Sequence, residues 1–405
     1  MRMPVVLLLA VVFLAAAGVG GWVAADRLIG DDDGGTVVTP TPTGTSTAAP
    51  SVTGTPAAGG PALLYREFGS GADTLWIAPA ASPTDRKSVA KIEHAADWGI
   101  SASLSPDGNL VAYLVLANGS QDPGRGAEAW VLEVRSGQKR HLADGFDLRS
   151  RAVWSGKGDA IVVARNGPQG DAGGEVSLVE VDVTDGSENV LRTEPNVLGL
   201  YPIGYSSAPA VGGALVYARI TISGTDFGWV EGGTAASPPV HATNESARDY
   251  HLSPDGTRVA FLARQRTDGR IAMRTFVTQL GAPDAPVSLR AGAEDADHFN
   301  PVWRDDATIT LGHTPAEGEA AAAAVLVSLE GSTAQDVEPG PEQGFDVPVS
   351  WSSDGRYLAV RAFEGSSAAQ PGRERLTIIE EGSGRKAVGE QGSLEFIGWL
   401  SSGSP

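Results

Sequence analysis

One segment recurs along this chain, and its regular spacing limits the folds that the sequence can adopt. Its clearest copy runs from Leu252 to Leu262 and contains Ser-Pro-Asp-Gly at 253–256. Pro, Asp and Gly in this order favour a tight turn, with Gly256 at the position that needs a positive φ. The apolar residues after the turn, among them Val259 and Phe261, predict a buried β-strand. Each copy therefore predicts a strand, a turn and a second strand.

The residue that precedes each turn, called the anchor residue below, recurs at intervals of 47 to 51 residues. The anchor residues are Leu104, Trp154, Tyr205, Leu252, Trp303, Trp351 and Trp399. Within each interval, short runs rich in β-branched and aromatic residues alternate with Gly, Pro, Asp and Ser, and most intervals hold four such runs. Four antiparallel strands in about 40–50 residues are typical of one blade of a β-propeller.

The two ends of the repeat region complete each other. The run from Ala62 to Arg66 looks like a second strand with no first strand before it, and Leu394 to Trp399 looks like a first strand with no partners after it. Pairing them closes the ring and leaves no free sheet edge. We therefore predict an all-β fold, a seven-bladed β-propeller of four-stranded blades closed by pairing of the N- and C-terminal strands.

The turn sequence resembles the hallmark Trp-Ser-Pro-Asp-Gly of the TolB-type propellers, a WD-repeat-like family. Three segments carry the resemblance, at 104–113, 252–261 and 351–360, although Leu replaces Trp in the first two. The resemblance covers residues 62 to 399 and implies the propeller fold. It also implies that the anchor Trp and the turn Asp are architectural residues. The fold alone does not imply an activity.

The N-terminal residues predict export and anchoring. Residues 4–25 are apolar, enough to cross a bilayer core of about 30 Å as a helix. Arg2 precedes this run and Asp31–Asp33 follow it, which places the N-terminus in the cytoplasm. We predict a transmembrane signal-anchor at 1–27, with a signal peptide cleaved after Val23–Ala25 as the alternative. We predict a disordered Thr/Pro/Ser/Gly-rich linker at 28–61 and an extracytoplasmic propeller at 62–405. The protein is then a single-pass protein of a bacterial cell membrane.

Composition excludes several kinds of partner and site. The chain of 405 residues has a formal net charge of −19, which argues against binding nucleic acid and leaves the N-terminal helix as the only expected contact with the membrane. It contains no cysteine, so it has neither disulfides nor thiolate metal sites. Its six histidines stand at different offsets from the anchor residues, whereas metal ligands converge at one depth. The acidic loop at 294–297 lacks calcium-loop spacing. We predict no metal site and no cofactor.

Catalytic motifs are also missing from the sequence. It contains no G-x-S-x-G, P-loop or HExxH motif. Similar propellers precede an α/β-hydrolase domain in prolyl-peptidase-like enzymes, and we expect none here because the chain ends six residues after Trp399. The innermost strands offer polar residues three and five positions before the anchor, which strand alternation predicts to face the central channel together. These candidate binding residues are Arg149, Arg151, Asp249, His298, Asn300 and Asp346.

These observations favour a non-enzymatic binding or scaffold module, which takes a protein partner or a small ligand at one propeller face. Two alternatives remain open. The first is a propeller enzyme, a lyase or hydrolase, with its site at the central channel. The second is a sensor of cell-wall fragments.

Overall fold

A computed structural model describes residues 60–170, 173–206, 213–231, 234–235, 239–267, 269–281, 285–294, 296–330, 334–389 and 393–401. These residues form seven sheets of four or five strands, so the predicted all-β, seven-bladed propeller is confirmed. The predicted signal-anchor and nearly all of the predicted linker lie outside the described residues. Within the described ranges, no helix is long and apolar enough to cross a membrane.

The strands follow one another blade by blade along the chain. Blade 1 begins with β1 (Ala62–Glu67), β2 (Ala72–Pro79) and β3 (Lys87–Glu93). Blade 2 contains β4 (Ser101–Leu104), β5 (Leu110–Leu116), β6 (Ala127–Glu133) and β7 (Lys139–Phe146). Blade 3 contains β8 (Val153–Trp154), β9 (Ala160–Gly170), β10 (Gly173–Asp182) and β11 (Glu188–Val197). Blade 4 contains β12 (Gly199–Tyr205), β13 (Leu215–Thr221), β14 (Gly224–Glu231), β15 (Thr234–Ala235) and β16 (Val240–Thr243).

The remaining blades keep the same order. Blade 5 contains β17 (Arg248–Leu252), β18 (Arg258–Thr267), β19 (Arg270–Gln279) and β20 (Val287–Ser288). Blade 6 contains β21 (His298–Trp303) and β22 (Thr308–His313), and after β23 (Ala321–Ala322) it continues with β24 (Val325–Ser328) and β25 (Ala334–Asp336). Blade 7 contains β26 (Gly344–Trp351), β27 (Tyr357–Phe363), β28 (Glu374–Glu380) and β29 (Gly384–Ala387), and β23 joins it in parallel to β26. The last strand, β30 (Leu394–Leu400), returns to blade 1.

The ring closes as the sequence predicts. β30 pairs antiparallel with β1, and this pairing places Ala62 opposite Leu400 and Glu67 opposite Leu394. The first strands of successive blades contact one another around the ring, in the order β30, β4, β8, β12, β17, β21 and β26. These strands are therefore the innermost ones, and they surround the channel.

The repeated turn is held by the same hydrogen bonds in blades 2 and 5. The hydroxyl of Ser105 donates to Asp107 Oδ1 at 2.6 Å and accepts from the backbone N–H of Leu110 at 2.9 Å. Ser253 repeats both contacts, with Asp255 and Arg258. The carboxylate of the turn Asp therefore accepts hydrogen bonds within its own turn, which confirms its architectural role.

The anchor Trp residues join neighbouring blades. The indole N–H of Trp154 donates to the backbone carbonyl of Ser103 at 3.2 Å, and that of Trp303 donates to the carbonyl of His251 at 2.9 Å. Trp399 closes the ring in the same way, at 3.3 Å from the carbonyl of Ser350. Each acceptor lies one residue before the anchor of the preceding blade. The prediction that these Trp residues are architectural is confirmed.

The hydrophobic core is divided among the junctions between blades. Leu64 and Tyr113 pack together between blades 1 and 2, and Tyr65 packs with Tyr357 between blades 7 and 1. Separate clusters fill the other five junctions. Because each blade is covered on both sides by its neighbours, the ring needs no helix to bury its sheets.

The strand directions define two faces. The turns that follow the innermost strands, such as 105–108, lie on one face, called the turn face. The segments that connect second to third strands, such as 117–126, lie on the opposite face with those that lead into the innermost strands, such as 147–152. We call this opposite side the loop face.

Candidate functional site

The innermost strands do not alternate regularly. In five blades the pairing of the innermost strand shifts register just before the anchor residue. At two of these shifts the backbone enters the left-handed region, with φ of 53° at Asp249 and 25° at Asn300. A bulge of this kind re-aims the side chains on one side of it relative to the other. The prediction that positions three and five before the anchor face the channel together is therefore wrong.

His298 and Asp346 show the consequence, because both are buried rather than exposed in the channel. His298 is 1% exposed and lies within 3.1 Å of the carbonyl of Ala291 through Nε2. Asp346 is fully buried in a two-pronged ion pair with Arg385, at 2.9 and 3.1 Å. Burial raises the pKa of Asp346, and Arg385 opposes that shift. Neither side chain is available to a ligand in the channel.

Arg149 lies on the loop face instead of inside the channel. Its guanidinium donates twice to Asp147, from Nε to Oδ1 and from Nη2 to Oδ2, both at 2.8 Å. Asp147 also accepts from the amide of Asn166 at 2.9 Å. Together with the segment 122–125, Arg149 and Asn166 line an open groove of about 310 Å³.

The other three predicted residues are brought together, and His251 joins them. Arg151 is solvent-exposed, and its guanidinium reaches the carbonyl of Ile397 at 3.4 Å. Since Ile397 belongs to blade 1 and Arg151 to blade 3, the side chain passes blade 2 and lies in the channel. Asp249 and His251 of blade 5 and Asn300 of blade 6 complete this group, called the channel cluster below.

A chain of hydrogen bonds orients His251. The amide nitrogen of Asn300 donates to the carbonyl of Pro348 at 2.6 Å, so Asn300 Oδ1 is the atom that faces His251. Nε2 of His251 lies 3.0 Å from that oxygen and must donate to it. Burial lowers the pKa of His251 and outweighs the hydrogen bond to Asn300 and the charge of Asp249, which both raise it. The ring is therefore neutral at pH 7, with Nδ1 as its acceptor atom.

Sequence reasoning did not place His251 among the binding residues. It stands one position before its anchor, where regular alternation offered no reason to group it with Asp249 or Asn300. The signal that could have singled it out is the pair Asp249 and Asn300, since Asp and Asn tolerate left-handed backbone better than other non-glycine residues. Both stand three positions before an anchor.

The buried state of His298 predicts a pH dependence of stability. Burial lowers its pKa to about 4, and Nδ1 accepts from the N–H of Thr275 at 3.2 Å, as a neutral ring does. In the unfolded chain the His298 ring is protonated near pH 6.5. Its contribution to the free energy of unfolding is therefore fully present above pH 6.5 and is lost as the pH falls to about 4. It corresponds to about 3 kcal/mol. Urea denaturation across this range is expected to show a weaker pH dependence in His298→Gln than in the wild type.

The control for this measurement is His241→Gln, because His241 is exposed. Carboxylates titrate in the same range in all three proteins, so the differences between the curves isolate each histidine. Equal pH dependence in His298→Gln and the wild type would show that His298 carries no such contribution.

No family model matches this sequence, and no curated protein matches it. Several solved structures, however, are similar to this chain. The β-propeller domain of the Trilobed protease from Pyrococcus furiosus is 11% identical over 81% of this chain and 94% of that chain, with a TM-score of 0.50. An acylaminoacyl peptidase from Pyrococcus horikoshii is 11% identical over 81% of this chain and 52% of its own, with a TM-score of 0.50.

TolB from Acinetobacter baumannii is 14% identical over 70% of this chain, with a TM-score of 0.47, and this chain spans 64% of its length. The chain is similar to TolB-like β-propellers in fold. The β-propeller fold that the sequence resemblance implies is confirmed by the seven sheets and by the two matches with a TM-score of 0.50. Because the similar structures also include peptidase propellers, the fold does not decide between binding and catalysis.

Proposed function

We propose that this TolB-like propeller is a non-catalytic binding module that takes a protein partner or a small polar ligand at the channel mouth. The observation that carries the proposal is the channel cluster. Three different blades bring Arg151, Asp249, His251 and Asn300 together, and two of these residues hold left-handed backbone. Strained non-glycine residues persist where the surrounding structure over-determines them, which is common at binding sites.

The chemistry of the cluster suits a ligand with both a negative group and hydrogen-bond donors, such as the end of a peptide. Arg151 makes one long hydrogen bond to Ile397, which leaves donors for a carboxylate. Asp249 supplies a carboxylate that is 12% exposed, and Arg248 lies 3.8 Å from it. A cation and a carboxylate from different blades are held without a direct ion pair between them.

The loop face is the side on which we expect docking. Its groove of about 310 Å³ is lined by Arg149, Asn166 and the segment 122–125. On the turn face, the polar side chains of Ser105, Asp107 and their equivalents are engaged within the turns. The loop face therefore differs from the turn face in having an open groove beside the channel in which a partner can dock.

We further propose that the propeller lies outside the cytoplasm of a bacterial cell, with the apolar run at 4–25 as the membrane anchor. The support is the sequence, through Arg2 before the run, Asp31–Asp33 after it and the linker at 28–61. Protease treatment of intact spheroplasts is expected to degrade the propeller. Protection in spheroplasts that becomes degradation after lysis would contradict this orientation.

The binding proposal is tested by using the full chain as bait in solubilised membranes. The double variant Arg151→Ala, Asp249→Ala is expected to retain a specific partner at least about tenfold less than the wild type, because it removes both charges. Arg356→Ala, an exposed change on the turn face, is the matched control and is expected to retain it fully. If the double variant retains the partner as well as the wild type does, the interface lies outside the channel. Absence of any specific partner would overturn the protein-docking form of the proposal.

An enzyme acting in the channel is the second candidate, and His251 favours it. Its Nε2 is bound to Asn300, its ring is neutral, and Asp249 belongs to the same cluster. A neutral imidazole held in one tautomer suits proton transfer. Turnover of a substrate that is lost in His251→Ala and falls as the pH drops through the lowered pKa of His251 would favour this candidate over the binding module.

A further inference from the structure

A second group of polar side chains lies on the two outer strands of blade 2, away from the channel. Glu128 is on β6, and His141 and Asp144 are on β7. The strand register places Glu128 opposite Asp144 and Trp130 opposite His141. One ligand atom from each of Glu128, His141 and Asp144 lies within 4.8 Å of the others. We call this group the blade 2 triad.

Trp130 orients two members of the triad. Its indole N–H donates to Glu128 Oε2 at 2.9 Å, and its ring meets the His141 ring edge-on, with centroids 5.0 Å apart. Nε2 of His141 lies 2.8 Å from Asp144 Oδ1. Outer groups that fix the direction of carboxylate and imidazole ligands are a regular feature of metal sites.

The triad keeps its negative charge. Among the described residues, no Lys or Arg forms an ion pair with Glu128 or Asp144. The guanidinium of Arg165 is held by Glu188 through two contacts of 2.7 Å and contacts Asp144 only at its backbone carbonyl, at 3.0 Å. Two carboxylates beside one imidazole attract a cation that can take both nitrogen and oxygen ligands.

We propose that Glu128, His141 and Asp144 bind one divalent transition-metal ion of the Zn²⁺ class. Imidazole nitrogen and carboxylate oxygen are both ligands of Zn²⁺, at about 2.0–2.2 Å. Three protein ligands on two paired strands leave water to complete the coordination. The donor set disfavours Ca²⁺ and Mg²⁺, which prefer oxygen ligands alone.

Blade 4 contains a related group that differs from the blade 2 triad in two ways. His241 and Asn244 have the same spacing as His141 and Asp144, and His241 Nδ1 lies 2.8 Å from Asp226 Oδ1. Here, however, Arg219 forms an ion pair with Asp226 at 2.7 Å, and the third group is a neutral amide. Blade 4 is therefore expected not to hold the ion.

The sequence predicted no metal site because it compared histidines by their offset from the anchor residues. That comparison detects ligands arranged in a ring around the channel. It does not detect Glu128, His141 and Asp144, which converge through the register of β6 and β7 within one blade. The turn between β6 and β7 separates Glu128 from His141 in the sequence, so the spacing of these residues does not identify them as ligands of one site.

The test is equilibrium dialysis of the full chain against ZnCl₂, after treatment with chelator, in mild detergent and without a histidine tag. We expect one Zn²⁺ per chain in the wild type. His141→Ala and Asp144→Asn are each expected to weaken binding by at least about tenfold. His241→Ala is the control, since His241 is 53% exposed and His141 is 40% exposed. It is expected to leave binding unchanged.

Two results would overturn the proposal. One is the absence of saturable Zn²⁺ binding in the wild type, and the other is equal loss in His241→Ala and His141→Ala. Far-UV circular dichroism checks that each variant is folded. Asp144→Asn keeps the size of the side chain, so it decides the question if His141→Ala does not fold.

Discussion

Replacing Asp73 with alanine is expected to lower the free energy of unfolding by about 3–5 kcal/mol. Asp73 is fully buried on β2, and its Oδ2 accepts from Arg66 of β1 at 2.8 Å. The same oxygen accepts from the backbone N–H of Ile100 at 3.0 Å, and Oδ1 lies 3.1 Å from His94 Nε2. The substitution leaves these donors buried without their acceptor.

The effect is large because this network also holds the ring closed. Arg66 donates from Nε to Glu395 on β30 at 2.6 Å, so one guanidinium joins the first strand of the propeller to the last. Loss of Asp73 removes one of the two carboxylates that fix the position of the Arg66 guanidinium, so the contact with Glu395 is less well oriented. A propeller whose terminal strands separate exposes two sheet edges, which promotes opening and aggregation.

The measurement is urea denaturation followed by tryptophan fluorescence. The control is Arg356→Ala, which removes an exposed pair with Glu380 and is expected to leave the midpoint almost unchanged. If Asp73→Ala shifts the midpoint no more than Arg356→Ala does, the closing role of the network is refuted.

Replacing Trp303 with alanine is expected to cost about 3–5 kcal/mol of stability. Trp303 is 8% exposed and packs in the junction between blades 5 and 6, with Ile309 and Val277 among its neighbours. Its indole N–H also donates to the carbonyl of His251 in the preceding blade. The alanine variant therefore loses packing and a hydrogen bond between blades.

Trp303→Phe separates the two contributions. It keeps most of the aromatic packing and removes the donor, so we expect it to cost about 1–2 kcal/mol in the same denaturation experiment. A cost in Trp303→Phe equal to that of alanine would assign the effect to the hydrogen bond. A cost below about 1 kcal/mol in Trp303→Ala would refute the architectural role of the anchor.

The candidate site was predictable only in part. The sequence grouped Arg151, Asp249 and Asn300 because the repeat aligns the innermost strands and so reveals polar residues at equivalent positions, and their role in binding stays a prediction. Arg149 was misplaced because it lies in the segment before β8 and not on a strand, whereas the buried His298 was misplaced because strand alternation was extended through a bulge. A bulge adds one residue on one strand without changing the apolar pattern of its partner, so it leaves little trace in the sequence.

The sequence by itself determined the architecture of this protein. The interval of 47 to 51 residues, the Ser-Pro-Asp-Gly turns and the two incomplete ends were sufficient to predict seven blades and their closure. The prediction of the architecture is possible because each blade is a local unit whose strands are adjacent in the chain. The same short-range sequence pattern also recurs in several blades.

Only the tertiary structure decided which polar side chains meet. Arg151 reaches Ile397 across 246 positions of sequence, Arg66 reaches Glu395 across 329, and Glu128 meets His141 and Asp144 through strand register. Such contacts depend on the curvature of the ring, on bulges and on side-chain direction. These properties arise when the blades pack, and no periodic pattern of apolar residues encodes them.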